Sequence, residues 1–69
     1  MMNNMMKLDK LKTQIAQATA QISTTDLCKS AGITEQTYRR AMNIGSRPAT
    51  ICKIAEALGV SITDIIENV

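Results

Sequence analysis

Glu35, Gln36, Arg39, Arg40 and Asn43 put a carboxylate, two amides and two guanidinium groups into one short segment near the middle of the chain. A carboxylate only accepts hydrogen bonds, an amide donates and accepts, and a guanidinium presents a planar fork of donors. Such a set reads a polar partner without making or breaking bonds. Gln can pair with adenine N6 and N7, Arg with guanine O6 and N7, and Glu can accept from cytosine N4. The means of catalysis are missing. The chain has no His, no glycine-rich phosphate loop, and too few residues to build a pocket beside a core. Tyr38 falls on the inward side of its segment with no arginine and histidine cluster around it, which removes it as a nucleophile. No enzyme is expected.

Positioning these groups requires short elements. Ser23 is placed to cap a helix, with Asp26 three residues on in an S/T-x-x-D box, and Leu27, Cys28 and Ala31 form its apolar face. Gly32 follows where a helix ends in a left-handed residue. Ile33 plugs the corner, and Thr34 caps a second helix whose inner face is Tyr38, Ala41 and Met42. Glu35, Gln36, Arg39, Arg40 and Asn43 then face outward. A short polar and basic helix packed across another is the helix-turn-helix arrangement for the DNA major groove.

Periodicity assigns the rest. A first helix is predicted over about Lys7–Gln21, with Leu8, Leu11, Ile15, Ala18 and Ile22 on one inward stripe and Asp9 at its positive end. Ile44-Gly45-Ser46-Arg47-Pro48 reads as a turn with proline near a first helical position. A fourth helix spans about Pro48–Leu58, with Ile51, Ile54, Ala55 and Leu58 inward and Gly59 beyond it. Ser61 and Asp64 open a last helix carrying Ile62, Ile65, Ile66 and Val69. Residues 1–6 are expected to be a flexible tail and 7–69 the folded domain. The expected class is all-α, a five-helix orthogonal bundle.

The segment Thr24–Asn43 resembles the lambda-repressor-like, or XRE, helix-turn-helix family. Small or apolar residues sit where that family packs its two helices: Leu27, Cys28, Ala31, Ile33, Tyr38 and Ala41, with Gly32 at the turn. The run Arg47–Ile66, with its K-I-A-x-A-L-G-V string, is similar to the family's closing helices. The likeness covers roughly Leu8–Ile66. Cys28 stands where alanine is usual and Tyr38 where a branched aliphatic is usual, departures that bear on packing. The resemblance implies a DNA-binding transcriptional regulator, a repressor, with the helix at about 35–42 in the major groove. Glu35, Gln36 and Arg39 are then the base-reading candidates. Thr24, Thr25, Thr37, Arg40, Asn43, Ser46 and Arg47 are candidates for the phosphate backbone or groove edge. A protein-interaction module on the same fold, an antitoxin-like or anti-repressor partner, is the competing reading; the outward basic pair favours double-stranded DNA over it.

Charge and composition agree with a small domain that meets phosphate. With 69 residues and neither Phe nor Trp, the core must come from Ile, Leu, Ala, Met and Tyr38. The middle stretch, Thr24–Lys53, carries five basic groups against Asp26 and Glu35, whereas Ile54–Val69 carries Glu56, Asp64 and Glu67 with no basic residue. Basic groups thus gather at one part of the chain and acidic ones at the other. Cys28 and Cys52 sit in apolar helical patterns, and without His or a CxxC pair no metal site is expected. No cofactor or small-molecule ligand is implied. The start MMNNMM is too short and polar for a signal peptide, and no run approaches the ~20 apolar residues of a membrane span, so cytoplasmic residence is expected. One helix-turn-helix reads only a few base pairs, so a homodimer is expected, joined through Ile62, Ile65, Ile66 and Val69 of the last helix.

Overall fold

The computed structural model describes residues 5–67. Four helices follow in order: α1 Lys10–Ala20, α2 Thr24–Ala31, α3 Glu35–Asn43 and α4 Pro48–Leu58, with a single 3-10 turn at Ile62–Asp64. Among the described residues there is no strand, only two isolated antiparallel bridges, Met6 with Ser46 and Leu8 with Ile66. The all-α class stands; the count is four α-helices and a 3-10 turn rather than five helices.

Local chemistry sets most boundaries. Asp9, Ser23 and Thr34 cap α1, α2 and α3, their side chains accepting from the backbone N–H three residues on, at 2.9, 3.1 and 3.1 Å. Each satisfies a donor that the first helical turn leaves without a partner. Pro48 starts α4 where its missing N–H costs nothing. Gly32 ends α2 in the left-handed region, φ 72°, and its N–H returns to the helix carbonyls. The core forms where the sequence places it for three helices: Leu27, Cys28 and Ala31 of α2, Tyr38 and Ala41 of α3, and Ile51, Ile54, Ala55 and Leu58 of α4 are all buried. α2 packs chiefly on α4.

The first helix differs from its prediction in start and in phase. Residues 6–9 are extended, not helical. Met6 N donates to Ser46 O at 2.7 Å, Leu8 N to Ala41 O at 3.0 Å, and Asp9 N to Ile65 O at 2.8 Å. These bonds draw the backbone out of helical geometry, so α1 begins only after Asp9. Met6, assigned to a tail, is half-buried and paired in both directions with Ser46; residues 1–4 lie outside the described residues. Leu8 is fully buried, but from the strap, and its phase therefore says nothing about α1. The buried side of α1 is Thr13 and Ala16, while Leu11 is 65 % exposed and Ile15 58 %. Ala18 is exposed as well, and Ile22 packs at the core edge after the helix ends. The small Ala16 lets the helix approach closely, and the Thr13 hydroxyl donates to Ile65 O at 3.3 Å, fixing which side turns inward.

The last helix is also replaced. After the 3-10 turn the chain extends again: Leu8 bridges Ile66, and Glu67 N donates to Lys7 O at 3.0 Å. Helical bonding stops after one turn, with Ile65 N and Ile66 N both donating to Ile62 O, and the N-terminal strap supplies the next backbone partners, an extended state that β-branched side chains favour. Ile65 has no exposed surface, and Ile62 and Ile66 are half-buried against the core. The surface expected to join two copies is thus largely spent inside one; Val69 lies outside the described residues.

Gly45 is the junction where strap and α3 meet. Its φ is 128°, and a Cβ there would sit 3.1 Å from Met6 O. Gly32 also has positive φ, but a Cβ there meets nothing within 4 Å. Gly45→Ala therefore combines backbone strain with a clash against the strap, and its loss of stability should exceed that of Gly32→Ala, which carries only the left-handed penalty of about 1–2 kcal/mol. Urea denaturation of the two variants checks the order; equal midpoints would refute the role given to the strap contact.

Candidate nucleic-acid interface

Helix α3 is held on one side and free on the other. Tyr38 and Ala41 anchor it, 5 % and 0 % exposed, while Glu35, Gln36, Arg39, Arg40 and Asn43 are all exposed. The outward set named from the sequence is therefore presented together on one helix. Of the flanking candidates, Thr25 and Arg47 are exposed, and Thr24, Thr37 and Ser46 are half-buried.

Polar contacts organise the approach to this helix. Thr25 Oγ1 donates to Glu35 Oε2 at 3.0 Å, tying the first turns of α2 and α3 together across the corner. Glu35 sits in the first turn of α3, where the positive end of the helix dipole favours a carboxylate. Thr37 faces its cap: its hydroxyl lies 2.9 Å from that of Thr34, so its polar atom is engaged inside the helix start. Behind α3, Tyr38 Oη donates to Gln17 Oε1 at 3.0 Å and Gln17 Nε2 donates to Thr24 Oγ1 at 3.1 Å. This chain links α3, α1 and the first residue of α2. Because Thr24 Oγ1 accepts from Gln17, its own proton is free to point outward.

Two residues that the sequence reading did not assign join the site. Lys10 and Gln14 of α1 line a groove of about 530 Å³ together with Thr24, Glu35, Arg39 and Asn43. They lie one helical turn apart on the polar flank of α1, a spacing visible in the sequence but not interpretable until the phase of α1 is known. Lys10 adds a cation to the groove that Arg39 also lines. Ile44, 66 % exposed at the end of α3, stands beside Ser46 and Arg47. No group of His, Cys, Asp and Glu among the described residues could hold a metal ion.

Burial shapes the two titrating groups under α3. The Tyr38 hydroxyl is pushed up to about 12, first by burial and then by the neighbouring Cys28. The Cys28 thiol is raised by burial and by the charge of Glu35. Both stay protonated in neutral solution, so Tyr38 remains a donor to Gln17.

Four helices, a glycine-turned α2–α3 corner and an exposed polar α3 define a helix-turn-helix DNA-binding domain. The chain belongs to the family described as the Cro/C1-type HTH DNA-binding domain, which it matches over residues 10–69. No curated protein and no solved structure matches it. No helix among the described residues is long and apolar enough to cross a membrane.

Tyr38 is the sole tyrosine and there is no tryptophan, so phenolate absorbance reports it directly. Its titration midpoint should fall near 12 in the folded protein and near 10 in denaturant. An acid whose folded value is raised stabilises the fold below the unfolded value and loses that contribution as pH rises through the folded one. Stability should therefore fall between about pH 10 and pH 12. A midpoint near 10 in the native state would contradict the burial and the hydrogen bond to Gln17.

Proposed function

We propose that this protein is a sequence-specific transcriptional repressor that lays α3 in the major groove of double-stranded DNA. The observation that carries the reading is the division of α3: Tyr38 and Ala41 fixed in the core, and Glu35, Gln36 and Arg39 exposed on the opposite side. These three read base edges, Gln36 by donating to and accepting from one base, Arg39 by donating twice, and Glu35 as an acceptor for an amino group such as cytosine N4. Arg40, Asn43 and Arg47 meet phosphates or the groove edge, with Thr24, Thr25 and Ser46 at the flanks. Thr37, turned toward its cap, contributes at the rim. Lys10 extends the basic side of the groove. Repression is the regulatory mode that asks least of a small domain, since occupying a site is enough to exclude another protein, whereas activation requires a further recruiting surface. A lone α3 reads few base pairs, which favours two copies acting together on one site.

Selection of bound sequences from a random duplex pool tests the reading and gives the operator. Against that operator, Arg39→Ala should lose about 1–3 kcal/mol and relax preference at one base pair. Arg47→Ala should weaken all sequences alike and lower the salt slope by about one counterion. A folded Arg39→Ala/Arg40→Ala variant that binds as tightly as the parent would refute the assignment.

A further inference from the structure

We propose that Thr25 is a positioning residue for base specificity: it holds the Glu35 carboxylate off the Arg39 guanidinium, so that each of these side chains reads its own base. The role rests on the DNA-binding reading and supplies what keeps the two charged readers apart. Glu35 and Arg39 stand four residues apart on α3, acid before base, the order and spacing at which an exposed helix ordinarily forms an ion pair. Both are exposed, and both line the groove of about 530 Å³ beside α3. They are nevertheless not paired; the one ion pair among the described residues joins Lys7 to Glu67. The Glu35 carboxylate is turned across the corner instead, where its Oε2 accepts from Thr25 Oγ1 at 3.0 Å. Its charge is felt on that side too: after burial, it is what raises the thiol of Cys28 in α2.

The consequence is a division of hydrogen-bonding capacity. A guanidinium in a two-point pair with a carboxylate spends the fork of donors that would otherwise meet guanine O6 and N7. A carboxylate engaged in that way has little left for a base amino group. Thr25 occupies one oxygen of Glu35, which leaves Oε1 to accept from an amino group such as cytosine N4 and leaves Arg39 whole. A hydroxyl suits this task because it donates one bond without adding charge to the groove. Branching at Cβ restricts χ1 of the threonine and so limits where that hydroxyl can point. The Thr25 proton is thus spent within the protein, and its contribution to DNA is the placement of Glu35 rather than a bond to phosphate.

The test pairs two measurements on the intact chain: the affinity ratio between the selected operator and each of its single-base-pair variants, and the water exchange of the Arg39 Nε–H in the free protein. In Thr25→Val, which keeps the shape and loses the hydroxyl, Glu35 falls back on Arg39. Operator affinity should drop about tenfold or more, with preference lost at the base pairs read by Glu35 and Arg39 and kept elsewhere. Affinity for a random duplex and its salt slope should not change, because the charges are the same. Thr25→Ser should retain most of the discrimination. Adding Glu35→Ala to Thr25→Val should restore the guanine preference of Arg39 but not the cytosine preference. A loss that Glu35→Ala fails to relieve overturns the proposal, since it marks a tie that only supports the corner. So does a loss shared equally by operator and random duplex, which marks a phosphate contact. In the free protein the Arg39 Nε–H should exchange more slowly in Thr25→Val than in the parent, and recover with Glu35→Ala; an unchanged rate overturns the proposal whether or not duplex is bound. A chain that binds no duplex but shows this change supports the placement of Glu35 by Thr25 while overturning the DNA reading.

Discussion

The extended strap at residues 6–9 closes the domain, and most of what is distinctive in the structure depends on it. Leu8 fills the core from a segment with no helix of its own, and the backbone around it is bonded to Ser46, Ala41 and Ile65. These partners belong to the loop after α3, to α3 and to the C-terminal segment. One short stretch thereby satisfies the Ala41 carbonyl near the end of α3, which helical bonding leaves open, and gives the C-terminal isoleucines an extended partner. Sequence-distant ends are joined by groups every residue possesses. In a chain this short, where a modest core leaves a narrow margin of stability, that closure matters.

A second constraint sits beneath α3. The Tyr38–Gln17–Thr24 chain of hydrogen bonds connects three helices with donors and acceptors in one consistent direction. Burial keeps Tyr38 protonated, Tyr38 occupies the oxygen of the Gln17 amide, and the amide nitrogen then turns to Thr24. A rigid α3 needs its inner side fully satisfied, because a polar group left unpaired under it would cost about 1–3 kcal/mol. Among the described residues no buried side-chain polar atom lacks a partner. The outward side chains are consequently free of structural duty, apart from the Thr25–Glu35 bond across the corner.

The charges follow the same division. Exposed arginines flank the polar side of α3, and the groove beside it gains Lys10 from α1, whereas Asp64 and Glu67 belong to the opposite end of the chain. The groove along α3 and the exposed Leu11 and Ile15 then occupy different sides of α1. Each side is set by the helix phase, which Thr13 and Ala16 determine.

Much of this was legible in the sequence. Caps at Ser23 and Thr34, the glycine turn at Gly32, Pro48 at the head of α4 and the 3.6-residue apolar pattern are local signals, encoded by residues within a turn of one another, and they located α2, α3, α4 and the exposed side of α3. The two ends of the chain were decided by tertiary structure. Leu8, Leu11, Ile15, Ala18 and Ile22 do form a helical stripe on paper, but Leu8 is held in a strap whose Met6, Leu8 and Asp9 N–H groups donate to Ser46, Ala41 and Ile65 from across the fold. Once it leaves the helix, a buried threonine bonded to Ile65 O sets the phase instead. Likewise the helical spacing of Ile62, Ile65 and Ile66 yields only a single turn, because Ile65 O, Ile66 and Glu67 N pair with the strap instead. Periodicity reports which side of an element is apolar; only the partner's backbone and the space available decide whether that side is the one buried.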